Sequence, residues 1–509
     1  MWSFLPGVRP RHASAKAPTR GLMNLSFGQG GKRWLCWGAL AALMGVATLS
    51  RAAGFPATAE LAHEGFRVSA EARLLDSGET LGSLTPTNQL TPASVSKLYI
   101  AAAALDRWGP QKRFTTRLVT NGTVSGHTLQ GDLILEGAGD PGLTSEDYWS
   151  LVQQLRQRDI ERISGRVLVS QWRFGPVDCI TTDRCRARER SRHAYDARLT
   201  SAAVDFATWC VRVMPGSRPG AEARVSGCFS AAPLPRVANH VKTVSSGKTG
   251  ISAERVTADN GEDTLVLSGQ IDSDTWPRTI YRSGSHPASQ SAATFQQRLQ
   301  EAGIALDGPV AVTNTPPADD ARPLATVDGK PLQELLLRML NYSNNFMADT
   351  LALDLADQQP AGLNDASAAL EQFVARKVPD HGPVSLASGS GLTPQSSTSA
   401  HGLVALLTSM YRQPALFPVF VAGMQVPDNG PMHFIRRGSD LFQSHVMIKT
   451  GTLNEPVPVR AIAGYFRTES GRWGAFAVMF NGRAATPYLN WRKTLTAVSE
   501  DLTPMIENH

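Results

Sequence analysis

The spacing of hydrophobic and polar positions changes three times along the chain. Within residues 55–105, an alternating stretch, Phe66-Arg67-Val68-Ser69-Ala70, precedes Val95-Ser96-Lys97-Leu98-Tyr99-Ile100-Ala101-Ala102-Ala103-Ala104-Leu105, which is alanine-rich and lacks Gly and Pro. The first reads as a strand, the second as a helix with Ser94 at its start. After Arg113 short β-type runs separated by turns take over, such as residues 115–122 and 132–137. One helix over residues 145–159 interrupts them behind the capping-type order Thr144-Ser145-Glu146-Asp147, and strands are expected to continue to about residue 317. From Pro331 helices dominate, including one over residues 332–357 with apolar Leu336, Leu337, Leu340, Met347, Leu351 and Leu355. The chain closes with two apolar strands, residues 460–466 and 474–480, and a helix over residues 488–502. This order predicts an α/β (α+β) unit built from residues 54–114 and 318–509. A mostly-β insertion over residues 115–317, sized for one or two accessory domains, splits it.

Composition narrows the function classes. With 509 residues, 42% hydrophobic and 18% charged, the chain can bury more than one core. Its net charge of +6 comes from basic residues read as scattered along the chain, so no nucleic-acid footprint is expected. The charge suits an acidic polymer such as cell wall and leaves room for peripheral membrane association. Lys32 and Arg33 precede an apolar run over residues 34–47, too short for a comfortable membrane span, and Ser50-Arg51-Ala52-Ala53 follows with small residues. Residues 1–53 therefore read as a secretory signal, with Met23 an alternative start and an uncleaved anchor the rival reading. Cys36 falls in that segment. Cys179, Cys185, Cys210 and Cys228 remain, and of their three pairings the short loops favour Cys179–Cys185 with Cys210–Cys228. Zinc is the weaker rival, because no Cys-x-x-Cys pair exists and His193 lacks a partner at ligand spacing.

Three motifs carry chemistry in a fixed order: Ser94-Val95-Ser96-Lys97, Ser343-Asn344-Asn345 and Lys449-Thr450-Gly451. Each alone is weak, and a solvated helix start, a polar helix junction and a glycine turn account for them one by one. Together they form the pattern of penicillin-recognising serine enzymes. Residues three apart on a helix share a face, so Lys97 reaches the Ser94 hydroxyl. Burial and a neighbouring Lys449 would lower its proton affinity enough for it to act as a base. Ser343 can relay a proton to a leaving amine, and the Asn345 amide can donate to a substrate carbonyl while accepting from a lysine. Lys449 and Thr450 can bind a carboxylate, and Gly451 lets a peptide approach as an added strand. A second Lys248-Thr249-Gly250 precedes Ser343 and is read as a turn. No Gly-x-Ser-x-Gly elbow and no His-Glu-x-x-His site occur, so neither a metal nor a cofactor is assigned.

The chain resembles the class C low-molecular-weight penicillin-binding proteins, the D-alanyl-D-alanine carboxypeptidase/endopeptidase family of DacB type. The resemblance rests on the three motifs and on Gly137-Ala138-Gly139-Asp140-Pro141, Gly389-Ser390-Gly391-Leu392 and Thr452-Leu453, and it spans nearly the whole mature chain. It implies a penicillin-binding/serine β-lactamase-like transpeptidase domain carrying a large insertion after the first motif, in a periplasmic protein. The implied reaction is acylation of Ser94 by the penultimate D-alanine of a peptidoglycan stem peptide, then hydrolysis. Lys97 would be the general base, Ser343 and Asn345 would complete the polar network, and Lys449 and Thr450 would hold the terminal carboxylate. The backbone N–H groups of Ser94 and Thr452 would form the oxyanion hole, and β-lactams would acylate the same serine. Ser388 stands before Gly389 where the resemblance leads one to expect an acid.

Two other readings compete. A serine β-lactamase would need a carboxylate after the second motif to activate water, and Asp349 and Asp354 are the acids available there. A non-catalytic periplasmic peptidoglycan-binding protein would tolerate decay of the motifs, which are intact. The sequence assigns no oligomeric state.

Overall fold

Five antiparallel strands organise the part of the chain that carries the motifs, in the order Val446–Leu453, Val459–Arg467, Trp473–Asn481, Arg67–Leu74, Thr80–Leu84. The computed structural model describes residues 54–509 other than 175, 176, 178, 180 and 229–232. The expected signal over residues 1–53 lies outside them. Among the described residues no helix is long and apolar enough to cross a membrane.

Pairing of Arg67–Leu74 with Trp473–Asn481 joins the two ends of the chain in one sheet, which leaves the middle free to form a separate structure. The strands expected over residues 460–466 and 474–480 are continuous apolar runs because both faces are covered. Ala461, Ala463, Tyr465, Ala475, Ala477 and Met479 join the core on the helical side. Ile462, Phe466, Phe476, Val478 and Phe480 join the core under Pro56–His63 and Trp491–Glu507 on the other. The helix Lys97–Trp108 runs through the helical core and is buried from Lys97 to Leu105, as a helix apolar on every side must be. Its four alanines let neighbouring helices approach, and its first residue enters the core with it.

The inserted part contains two further cores. One lies between the helices Ser145–Arg156 and Pro287–Glu301 and a five-stranded sheet ordered Val310–Thr313, Val167–Ser170, Leu133–Glu136, Thr115–Thr120, Arg322–Asp328. The last of these strands lies beyond residue 317, so this sheet takes chain from both sides of that position. The other core, around Val211, Val213, Val241, Leu265, Leu267 and Ile271, sits between a three-stranded and a four-stranded sheet.

Three expectations need correction. Strands do not fill the region up to residue 317: the helix Pro287–Glu301 lies there, its buried face made largely of small or polar side chains, Ala288, Ser291, Ala292 and Thr294 beside Phe295 and Leu299. Gly250 does not merely close a turn but opens the strand Gly250–Thr257, whose polar Ser252 and Glu254 mask it. The helix expected over residues 332–357 is two helices, Leu332–Asn341 and Asn345–Asp354. Both disulfides form as the loop lengths suggest, Cys179–Cys185 and Cys210–Cys228.

Candidate active site

The chain reaches Ser94 through a 3-10 turn, Ala93–Ser96, that runs directly into the helix Lys97–Trp108. Ala93 adopts φ +47°, a left-handed conformation costly for a residue with a side chain and typical of over-determined functional turns. Ser94 stays half-buried while Lys97 is wholly inside.

Lys97 Nζ lies 3.0 Å from Ser94 Oγ, 2.7 Å from Asn345 Oδ1 and 2.7 Å from the Ser390 carbonyl oxygen. Two of these partners only accept hydrogen bonds, whereas a hydroxyl both donates and accepts. A neutral amine has two N–H donors and one lone pair, so it satisfies all three when its lone pair faces Ser94. Burial holds Lys97 well below the ordinary lysine range; the Lys449 and Arg184 charges push the same way, and Asp349 opposes them. Three N–H donors of an ammonium would fit the same three oxygens, so the geometry accommodates the neutral amine and the burial favours it.

The second motif sits at the helix break. Ser343 takes φ +52°, and Asn344 caps the next helix by accepting from the Met347 N–H at 3.0 Å. The polar run Asn341-Tyr342-Ser343-Asn344-Asn345 could have signalled this junction, since Asn competes well for caps. The break turns Ser343 towards the third motif and Asn345 towards the first. One Asn345 Nδ2–H donates to the Tyr195 carbonyl at 3.0 Å, leaving the other for a substrate.

Lys449 is also dry. Its Nζ donates to Ser343 Oγ at 2.8 Å and to the Thr450 carbonyl at 2.6 Å, and burial brings its pKa down to about 7. It therefore stands behind Ser343 and Thr450 and acts on the cleft through them. The cleft, of about 760 Å³, opens onto Ser94, Ser343, Asn345, Thr450 and Thr452.

Gly451 has a different use from the one its sequence suggests. A methyl group there would stand 2.6 Å from the Pro92 carbonyl oxygen and 2.9 Å from the Ser94 nitrogen. It is glycine so that the strand can lie against the turn that carries Ser94. Further along the same edge, Ile448 exchanges both backbone hydrogen bonds with Gln425, so its N–H and C=O point away from the sheet. Backbone directions alternate along a strand, so the groups of Thr450 and Thr452 point the same way, towards the cleft.

Several contributors were missed in the sequence. The Ser390 and Tyr195 carbonyls carry no side-chain signature. Asp349 is not a water-activating acid in the cleft: its Oδ2 pairs with Arg184 Nη1 at 2.8 Å and its Oδ1 accepts from the Ser390 N–H at 2.7 Å. Asp354 lines a separate cavity beside Arg173. Ser388, in place of the expected acid, accepts from the Gly391 N–H at 3.0 Å and so closes the turn itself. The basic residues read as scattered also gather locally, and Arg186, Arg190 and Arg192 from the insertion line the cleft.

The chain that carries this arrangement is similar to known proteins over most of its length. A D-alanyl-D-alanine carboxypeptidase of Actinomadura sp. (strain R39) is 28% identical over 80% of this chain and 76% of its own length. The carboxypeptidase DacB of Haemophilus influenzae is 24% identical over 82% and 86%. Two crystal structures of penicillin-binding protein 4 (dacB) from Haemophilus influenzae, one complexed with a novel β-lactam, share the fold at TM-scores of 0.73 and 0.68. Each is 21% identical, covering 88% of this chain and 99% of its own. The sequence profile of one family runs unbroken through all three motifs and the insertion between them, matching residues 61–502, and on that match the chain belongs to the D-Ala-D-Ala carboxypeptidase 3 (S13) family.

Proposed function

We propose that this serine D-alanyl-D-alanine peptidase works on peptidoglycan stem peptides through an acyl-enzyme on Ser94, with Lys97 as general base. The observation that carries the reading is the set of three contacts at Lys97 Nζ in a fully buried setting. The Ser94 proton passes to Lys97 as Oγ attacks the carbonyl carbon of the penultimate D-alanine. The oxyanion forms between the N–H groups of Ser94 and Thr452, where losing one donor costs about 2.7–4 kcal/mol of barrier. Collapse breaks the amide bond as Ser343 gives its proton to the departing amine and takes up the one held on Lys97; water then attacks the ester carbonyl, losing a proton to Lys97, which returns it to Ser94 Oγ as the ester bond breaks. Thr450 receives the terminal carboxylate, with the Lys449 charge behind it. The peptide lies as an added strand along the edge beyond Ile448, against the outward-facing backbone of Thr450 and Thr452.

A β-lactam presents a strained amide to the same serine, which accords with the β-lactam complex of the Haemophilus influenzae relative. Two disulfides suit an oxidising compartment, and we place the protein in the periplasm. Incubation with a stem pentapeptide and with a crosslinked muropeptide dimer tests the reaction and separates its carboxypeptidase from its endopeptidase form. Free D-alanine or monomer product is expected from the wild type and not from Ser94→Ala. A folded wild-type protein that releases neither would overturn the proposal.

A further inference from the structure

Arg184 belongs to the short helix Thr182–Arg186 of the inserted region, one residue before Cys185 of the Cys179–Cys185 disulfide. The insertion thereby delivers a guanidinium into the catalytic core. The Arg184 side chain is 3% exposed and that of its partner Asp349 0%. From there a continuous line of contacts reaches the lysine: Arg184 Nη1 to Asp349 Oδ2 at 2.8 Å, the Ser390 N–H to Asp349 Oδ1 at 2.7 Å, and Lys97 Nζ to the Ser390 carbonyl at 2.7 Å.

The pair is poorly built as a source of stability. Arg184 Nε and Nη2 have no hydrogen-bond partner among the described residues, although a guanidinium buried for its bonding would use its whole fork. Buried ion pairs also seldom outperform apolar side chains of the same volume. A different requirement explains it. Ser390 has to present its carbonyl to Lys97, and Asp349 achieves this by gripping the Ser390 N–H. A lone carboxylate at that place would keep the Lys97 ammonium charged and useless as a base. A second charge of opposite sign removes the conflict.

We propose that Arg184 is a positioning residue for acylation of Ser94, allowing Asp349 to hold the Ser390 turn on Lys97 while cancelling the carboxylate's field at that amine. The inference rests on the reading of Ser94 as nucleophile and Lys97 as base. The charged groups acting on Lys97 are Lys449 from the edge strand, Asp349 from the helix Asn345–Asp354 and Arg184 from the insertion; Ser94, Asn345 and the Ser390 carbonyl are its uncharged neighbours.

The test is the pH profile of Ser94 acylation by a fluorescent penicillin in the full-length wild type, Arg184→Gln, Asp349→Asn and the double variant, each checked for folding by thermal melting. Arg184→Gln leaves the carboxylate uncancelled, so the acid limb moves to higher pH and acylation near neutrality slows by ~10- to 100-fold. Asp349→Asn keeps an acceptor for Ser390 and leaves the guanidinium alone, so the limb moves to lower pH. The double variant returns towards the wild-type midpoint, and with Asp349→Asn it carries the test if Arg184→Gln does not fold. Equal midpoints in all folded variants, or shifts of one sign, would overturn the inference, because a structural role alone lowers rates without opposing shifts. A wild type that takes no penicillin on Ser94 would instead sink the catalytic reading beneath it.

Discussion

Gly451→Ala adds a single methyl group at the contact between the edge strand and the nucleophile turn. That methyl would stand 2.6 Å from the Pro92 carbonyl oxygen, 2.9 Å from the Ser94 nitrogen and 3.1 Å from the Val95 nitrogen. All three are backbone atoms, so no side-chain rotation relieves the clash. Ordinary contact begins near 3.4 Å, and the strand and turn must therefore separate by roughly 0.8 Å, the gap between 2.6 and 3.4 Å. The same two elements carry the Ser94 and Thr452 N–H groups, so the separation would open the oxyanion hole proposed between them. A misplacement of about 1 Å costs on the order of 100-fold in rate, and overpacking of this kind about 1–3 kcal/mol in stability. Stopped-flow acylation by a fluorescent penicillin, read beside urea unfolding, measures both. Acylation is expected to fall by one to two orders of magnitude in a protein that still folds. Wild-type acylation at unchanged stability would refute the claim that this glycine sets the fit of strand to nucleophile.

Two further predictions concern charge. Because burial brings Lys449 down to about 7, its charge is lost as pH rises through that value, and D-alanine release should decline on the alkaline side. Lys449→Arg keeps the charge and should extend activity to higher pH; a profile unchanged by the substitution would refute the role. Asp140 is a buried carboxyl pushed up to about 7, with Oδ2 unpaired among the described residues. The folded state therefore binds the extra proton between the ordinary carboxyl pKa and about 7, and stability falls as pH rises across that window. Asp140→Asn removes this term, worth on the order of 4 kcal/mol, and should stabilise the protein above pH 7 while leaving it unchanged in acid. Urea unfolding across pH decides it, and equal stabilities of the two proteins above pH 7 would refute the reasoning.

How far the sequence could be read follows from where burial comes from. The strands Val459–Arg467 and Trp473–Asn481 are legible because a sheet covered on both faces demands an unbroken apolar run. The helix Pro287–Glu301 is less plain, because Ser291 and Thr294 lie on its buried side among the few large apolar residues, Phe295 and Leu299. At the site, Ser94 and Lys97 are legible because their three-residue spacing, weak alone, is followed in order by Ser343-Asn344-Asn345 and Lys449-Thr450-Gly451. Ser390 and Tyr195 contribute carbonyls, which every residue possesses, and no pattern of side chains marks them. Arg184 is hidden in another way. It stands among Arg186, Arg188, Arg190 and Arg192, from which nothing in the sequence sets it apart, and only packing of the insertion on the helix Asn345–Asp354 makes this one arginine interior.

The central claim, that Ser94 becomes acylated and that neutral Lys97 makes it do so, is tested most directly by mapping the covalent adduct after exposure to penicillin. Intact mass and peptide mapping of the wild type should place one penicilloyl group on Ser94. The group should be absent from Ser94→Ala and strongly reduced in folded Lys97→Ala. An adduct on another residue, or one that persists at full level in Ser94→Ala, would contradict the account.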